Sequence, residues 1–242
     1  ELTADQTIEL KGMAGADYSI KEVNIAGGFA LSNVEGAATT SGSGNDTVAS
    51  GEVNTGAADE TVTFTNNYSV TPATSTGLNI PLSGSKAIDG RDFQAGDEFT
   101  FTIAAAQATP DAPLPQKDGA DVTSVTINPT SGETADFAFD GEITFTEPGE
   151  YRYIIRETQG NLAGVDYDAA VFRLNIVIVD NGDGTLRLAN VDEIGELTAE
   201  DGMAGDGLVY TANPMIQEYN GGTMQPAPNN AVQFDNNYNS DA

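Results

Sequence analysis

Apolar and polar residues alternate at period two along much of the chain, which predicts strands whose successive side chains point to opposite faces. Phe99-Thr100-Phe101-Thr102-Ile103 is one such run and Ile143-Thr144-Phe145 another; Pro148-Gly149 then turns into a strand over residues 151–157. In a further strand Phe172, Leu174, Ile176 and Ile178 line one face, while Val171, Arg173, Asn175, Val177 and Val179 line the other. Asp180-Asn181-Gly182-Asp183-Gly184 predicts a hairpin turn into Thr185-Leu186-Arg187-Leu188, because Asn-Gly and Asp-Gly tolerate positive φ. Helical periodicity is nearly absent, with one short turn predicted near residues 192–197. Short strands punctuated by Gly, Pro, Asn and Asp predict an all-β chain of immunoglobulin-like β-sandwiches.

The two ends repeat one another. Val62-Thr63-Phe64-Thr65-Asn66-Asn67-Tyr68 resembles Val232-Gln233-Phe234-Asp235-Asn236-Asn237-Tyr238, and upstream of each lies a strand ending in Glu, at Glu22 and at Glu157. Paired landmarks that occur twice predict tandem domains, here at about 1–70 and 71–242, joined by a short linker over residues 69–77. The first segment is expected to hold five strands with a Gly/Ser/Thr-rich loop over 36–54. It reads as incomplete, a sheet lacking its opening strands and exposing an edge and half a core. In the second segment, loops are expected over 105–121 and 199–230.

Composition narrows the function. Nine Lys+Arg against 37 Asp+Glu give a formal charge of −28, which argues against nucleic-acid and anionic-membrane partners. With no Cys and no His, zinc sites built on those residues, thiol catalysis, His-ligated haem and a Ser-His-Asp triad are excluded. No apolar run exceeds four residues, as in Ile176-Val177-Ile178-Val179, which is too short to span a bilayer. The opening residues 1–5 do not read as a signal peptide, so the chain is expected to be mature or cut from a longer one. Residues 180–184 lack the alternating acidic ligands of a calcium loop, and turn chemistry accounts for them; no metal site is assigned and no cofactor is expected, with calcium between domains the alternative that so acidic a chain leaves open.

The four lysines are Lys11, Lys21, Lys86 and Lys117. Lys117, in Pro113-Leu114-Pro115-Gln116-Lys117, reads as a solvated charge. Lys86 lies on a predicted strand among small and apolar neighbours, and by pattern alone a strand lysine is a surface residue. Lys86 with Ile88-Asp89-Gly90-Arg91, Glu142-Ile143-Thr144-Phe145, Pro148-Gly149-Glu150-Tyr151-Arg152-Tyr153, Arg156-Glu157, Gly164-Val165-Asp166-Tyr167-Asp168 and Phe234-Asp235-Asn236 resembles, in that order, the streptococcal pilin isopeptide-linkage domain over about 80–240. Residues 1–70 are similar to the second half of a collagen-adhesin B-type domain, with Ile20-Lys21-Glu22 and Phe64-Thr65-Asn66 as landmarks.

The resemblance implies a self-made cross-link. A lysine on the first strand attacks the side-chain amide of an asparagine on the last, ammonia leaves, and a buried carboxyl group carries the protons. Those roles fall on Lys86, Asn236 and Glu157, with Asn237 the second candidate donor, although alternation points it to the opposite face. Burial must make Lys86 neutral and Glu157 protonated, after which the acid is expected to polarise the Asn236 carbonyl. In the first segment the roles fall on Glu22 and Asn66. Lys21 faces away and Lys11 sits beside a turn, so the partner lysine is expected to lie before Glu1.

The reading favoured is a structural stalk or shaft module of a Gram-positive surface adhesin or pilus, extracellular, with neighbouring repeats as partners and no catalytic turnover. The alternative is a module that binds a host protein or glycan through Tyr210 and Tyr219. A carboxylate glycosidase is the third class, weakly supported because acids are plentiful everywhere. Neither a pilin-polymerisation lysine motif nor a sorting signal is found, and residues 240–242 end where a next repeat could begin.

Overall fold

The alternating runs fold as strands, with no α-helix among the described residues; the computed structural model describes residues 15–53, 61–194, 196–197, 208–220 and 222–240. Two compact units result, Glu1–Val70 and, apart from the turn Gly182–Gly184, Thr71–Ala242.

In the first unit, β1 (Asp17–Lys21), β2 (Phe29–Glu35), β3 (Thr39–Ser41), β4 (Val48–Glu52) and β5 (Thr63–Tyr68) form two sheets, ordered β1-β4-β3 and β2-β5. The predicted loop over 36–54 is therefore corrected: it contains β3 and β4. Its small residues are what the packing requires, because a Cβ at Gly51 would lie 2.4 Å from the Tyr18 hydroxyl oxygen. Ala49 is the only fully buried apolar side chain among this unit's described residues, while Val23 is 62% exposed.

The second unit is a β-sandwich. Its strands are β6 (Ala73–Thr74), β7 (Ser83–Asp89), β8 (Phe99–Ala105), β9 (Gln116–Lys117), β10 (Ala120–Asp121), β11 (Ser124–Ile127), β12 (Thr134–Ala138), β13 (Thr144–Phe145), β14 (Gly149–Glu157), β15 (Val165–Asp166) and β16 (Val171–Asp180). They continue through β17 (Leu186–Leu188), β18 (Glu196–Leu197), β19 (Leu208–Val209), β20 (Met215–Asn220), β21 (Thr223–Pro226) and β22 (Gln233–Tyr238). One sheet runs β11-β8-β14-β16-β20-β21, with β17 also on β16, and the other runs β12-β7-β22-β15. Inward residues of the two sheets interdigitate, as sandwich faces must. Phe101 of β8 stacks on Phe137 of β12 at 3.8 Å, and Phe172 of β16 meets Phe234 of β22 edge-on at 4.9 Å. Each such pair contributes about 0.5–1.5 kcal/mol beyond its buried area.

Three further expectations are corrected. Residues 199–230 are not one loop, since β20 extends the larger sheet from β16 and β21 follows it. The Pro, Asn and Gly flanking Met215-Ile216-Gln217 conceal a strand that neighbouring β16 stabilises. The linker is tighter than predicted: Ala73–Thr74 pairs with β13, and the Ile143 backbone N–H donates to the buried Ser75 Oγ at 3.0 Å. The helical turn near 192–197 is a single 3₁₀ turn, Val191–Glu193, whose Glu193 Oε2 accepts from the Asn190 backbone N–H at 2.6 Å. The hairpin forms between β16 and β17, with Gly182 and Gly184 at φ of 80° and 82°.

Candidate functional site

On β7 the inward positions are Gly84, Lys86 and Ile88, because side chains alternate between faces. β7 pairs antiparallel with β12 and parallel with β22, in a register that sets Phe234 opposite Lys86 and Asn236 opposite Ile88. Gly84 permits this approach, since a Cβ there would lie 2.8 Å from the Val232 carbonyl oxygen and 2.6 Å from the Phe137 ring. Lys86 and Asn236 are both 0% exposed. Asn237 is exposed, as alternation along β22 requires.

The Lys86 amine donates to the Phe234 carbonyl at 3.0 Å, lies 5.4 Å from the Phe99 ring centroid and stands 3.6 Å from Glu157 Oε2. Glu157, the buried last residue of β14, accepts a hydrogen bond on Oε1 from Asn236 Nδ2 at 3.1 Å. On the other side of the same carboxamide, the Asp168 backbone N–H donates to Asn236 Oδ1 at 2.7 Å. That N–H can only donate, so it takes the amide oxygen and leaves the amide nitrogen turned to Glu157. Glu157 therefore faces the amide nitrogen, not the carbonyl oxygen that sequence reasoning assigned to it.

Burial disfavours charge on both members of the pair. The Lys86 amine is pushed down to about 8 by desolvation, against the opposing pull of Glu157, Asp168 and Asp235. Glu157 is pushed above the usual carboxylate range, again by desolvation, while Lys86 and the Asn236 hydrogen bond act in the opposite direction. Both shifts favour a neutral amine beside a protonated acid.

Sequence reasoning singled out Lys86, Glu157 and Asn236, and the fold brings them together; it missed Asp168. The local signal was an Asp able to bond the backbone two residues on, as its Oδ1 does to the Ala170 N–H at 2.8 Å. That pattern predicts a turn, whereas the contact of its backbone N–H with a residue 68 positions away exists only in the fold. The other lysines lie apart. Lys117 is exposed and paired with Asp140, and Lys21 is paired with Asp46 at 2.8 Å; Lys11 falls outside the described residues.

In the first unit Asn66 Nδ2 donates to Glu22 Oε1 at 2.7 Å. Glu22 Oε2, Asn66 Oδ1 and the Tyr18 hydroxyl are enclosed and lack a hydrogen-bond partner. This is the carboxylate–carboxamide contact of the second unit without an amine against it among the described residues.

A second polar cluster lies on the other face of β14, β16 and β20. Arg173 Nη2 donates to Gln217 Oε1 at 2.8 Å, and Asn175 Nδ2 donates to the same oxygen at 3.0 Å. Tyr210 is buried and donates to Glu150 Oε1 at 2.8 Å, so it is part of the packing and not a displayed contact residue. Among the described residues no group of three or more acidic side chains is placed to hold a metal ion.

No curated protein matches the chain. Among solved structures it is similar to the major pilin from Streptococcus pyogenes, at 18% identity and a TM-score of 0.38, covering 65% of this chain and 50% of that one. It is also similar to the T3.2 major pilin protein of Streptococcus pyogenes, at 20% identity, a TM-score of 0.39 and coverage of 65% and 51%. The T-13 major pilin protein of the same species gives 17% identity, a TM-score of 0.35 and coverage of 65% and 51%. The chain thus spans about half the length of the pilins it matches. The family model FctA, described as a Spy0128-like isopeptide containing domain, matches residues 82–239, the stretch that carries Lys86, Glu157 and Asn236. Because that match takes in well over half of the 242 residues, the chain belongs to the family of Spy0128-like isopeptide containing domains.

Proposed function

We propose that the chain is a structural module of a Gram-positive surface pilus or adhesin, held closed by an amide that Lys86 and Asn236 form with each other. The observation that carries this reading is a fully buried lysine 3.6 Å from a glutamate whose other oxygen holds the amide nitrogen of Asn236. A buried pair of this kind costs several kcal/mol per ion unless it neutralises, and so is weak evidence for stability. It is well suited to proton transfer.

Neutral Lys86 attacks Cγ of Asn236. Glu157 gives its proton to Nδ2, the atom it already touches, and receives one from Nζ; the Cγ–Nδ2 bond breaks and ammonia leaves. Amides are poor electrophiles, so most of the acceleration comes from holding the groups in contact in a dry core. The reaction runs once per molecule, so the chain is not a turnover enzyme. The bond ties β7 to β22, and tension entering ahead of Lys86 and leaving after Asn236 would bypass the intervening fold. Neighbouring modules of the same surface protein are the expected partners, and the cell wall exterior the expected location.

Glu22 and Asn66 are read as the acceptor half of the same chemistry, requiring a lysine from outside residues 15–53 and 61–70. The test is intact mass with peptide mapping: the folded chain is expected to be one ammonia lighter than its sequence and to yield a Lys86–Asn236 branched peptide. A full-mass chain with linear peptides overturns the reading.

A further inference from the structure

We infer that the Asp168 backbone N–H is an oxyanion donor for this reaction, and that the Asp168 carboxylate is the positioning group that aims it. The inference rests on the Lys86–Asn236 reading. As Nζ adds to Cγ, the carbonyl π pair moves onto Asn236 Oδ1; as it returns, the Cγ–Nδ2 bond breaks and ammonia departs. Glu157 cannot stabilise that charge from where it sits, because its oxygen is on the nitrogen side of the carboxamide. The Asp168 N–H already meets Oδ1 at 2.7 Å. A fixed dipole aimed where charge develops, among buried groups, lowers the barrier without having to reorganise.

The backbone at 168 is held from three directions. Asp168 Oδ2 accepts from the Asp235 N–H at 2.9 Å, and Oδ1 accepts from the Ala170 N–H at 2.8 Å. Its own carbonyl accepts from Gln159 Nε2 at 3.0 Å. Asp235 precedes the acyl donor in β22, so a single side chain locks the loop carrying the donor to the strand carrying the acceptor. The carboxylate also disfavours the neutral amine while favouring the protonated acid. Its net value to the reaction therefore lies in the clamp more than in its charge.

The test refolds the whole chain from denaturant and follows ammonia loss by intact mass in the folded fraction. Removing an oxyanion donor costs about 10²–10³ in rate. Asp168→Ala loosens the donor without deleting it, and about a 10- to 100-fold slowing is expected. Asp168→Asn, which removes the charge but keeps one acceptor oxygen, is expected to recover part of the rate. In Glu157→Gln, which keeps the unreacted carboxamide, the Asp168 amide proton is expected to resist hydrogen exchange and to resonate downfield. If Asp168→Ala reacts at the wild-type rate, or if that amide exchanges freely, the oxyanion assignment is overturned while the cross-link stands. If the wild-type chain loses no ammonia, the underlying reading fails instead.

Discussion

Glu157→Gln separates two demands that Glu157 meets. Glutamine has the shape of glutamate and offers an oxygen to Asn236 Nδ2, but it cannot carry a proton. Removing the carboxylate also leaves the desolvation of Lys86 unopposed by its main counter-charge, so the amine becomes more readily neutral. The nucleophile is thus improved and the shuttle lost, and the expected result is a folded chain that keeps its ammonia. Lys86 and Asn236 lie on β7 and β22, so their bond closes a loop of about 150 residues, which by the chain-entropy relation for cross-links raises the free energy of the unfolded state by about 5 kcal/mol. For a unit of this size that corresponds to a melting temperature lower by about 10–20 °C in the variant. Intact mass reports the chemistry and calorimetry the stability. A variant that cross-links as fast as the wild type would refute the proton-transfer role, and one that lacks the bond yet melts with the wild type would refute the loop-closure account.

The productive microstate, neutral Lys86 with protonated Glu157, holds as many protons as the ion pair, so the refolding chain is expected to cross-link at a nearly constant rate only while the pair holds a single proton, up to about pH 8, and more slowly in acid, where a second proton keeps Lys86 charged beside protonated Glu157. Above that pH the shared proton is lost and the rate falls; a rate still climbing at pH 10 would mean that lysine deprotonation alone matters. Gly84→Ala would drive a Cβ to 2.8 Å from the Val232 carbonyl oxygen, with an expected loss of about 1–3 kcal/mol in denaturant melts and slower cross-linking. Phe99→Ala opens the wall beside the Lys86 amine, with an expected cost of about 3–5 kcal/mol and a pH profile displaced upward as water reaches the nitrogen. Asn66→Ala is expected to leave the mass deficit and the Lys86–Asn236 peptide unchanged; a further change in mass would assign a reaction to the first unit.

Strand content was legible because a pleated strand with one buried face writes its geometry into the sequence at period two, as in Phe99-Thr100-Phe101-Thr102-Ile103. The hairpin after Asp180 was legible because positive φ selects Asn and Gly. Two short stretches were not. β4 carries Ala49-Ser50-Gly51 at its centre, with Gly51 beneath Tyr18, and β20 lies between breakers that β16 overrides by pairing with it. Propensity is local, and a neighbouring strand is not.

The site divides along the same line. Lys86, Glu157 and Asn236 could be named from ordered landmarks, and alternation alone set Asn236 inward and Asn237 outward. That Lys86 is buried could not be read from period two, since a strand lysine looks the same whether its face meets water or a second sheet. Only its enclosure between the two sheets, which strips it of water, lowers its proton affinity. Which end of the Asn236 amide meets Glu157 was likewise decided in three dimensions, by a backbone N–H arriving from Asp168. Side-chain identity is a property of the chain, whereas desolvation and the direction of a hydrogen bond depend on what distant segments place nearby.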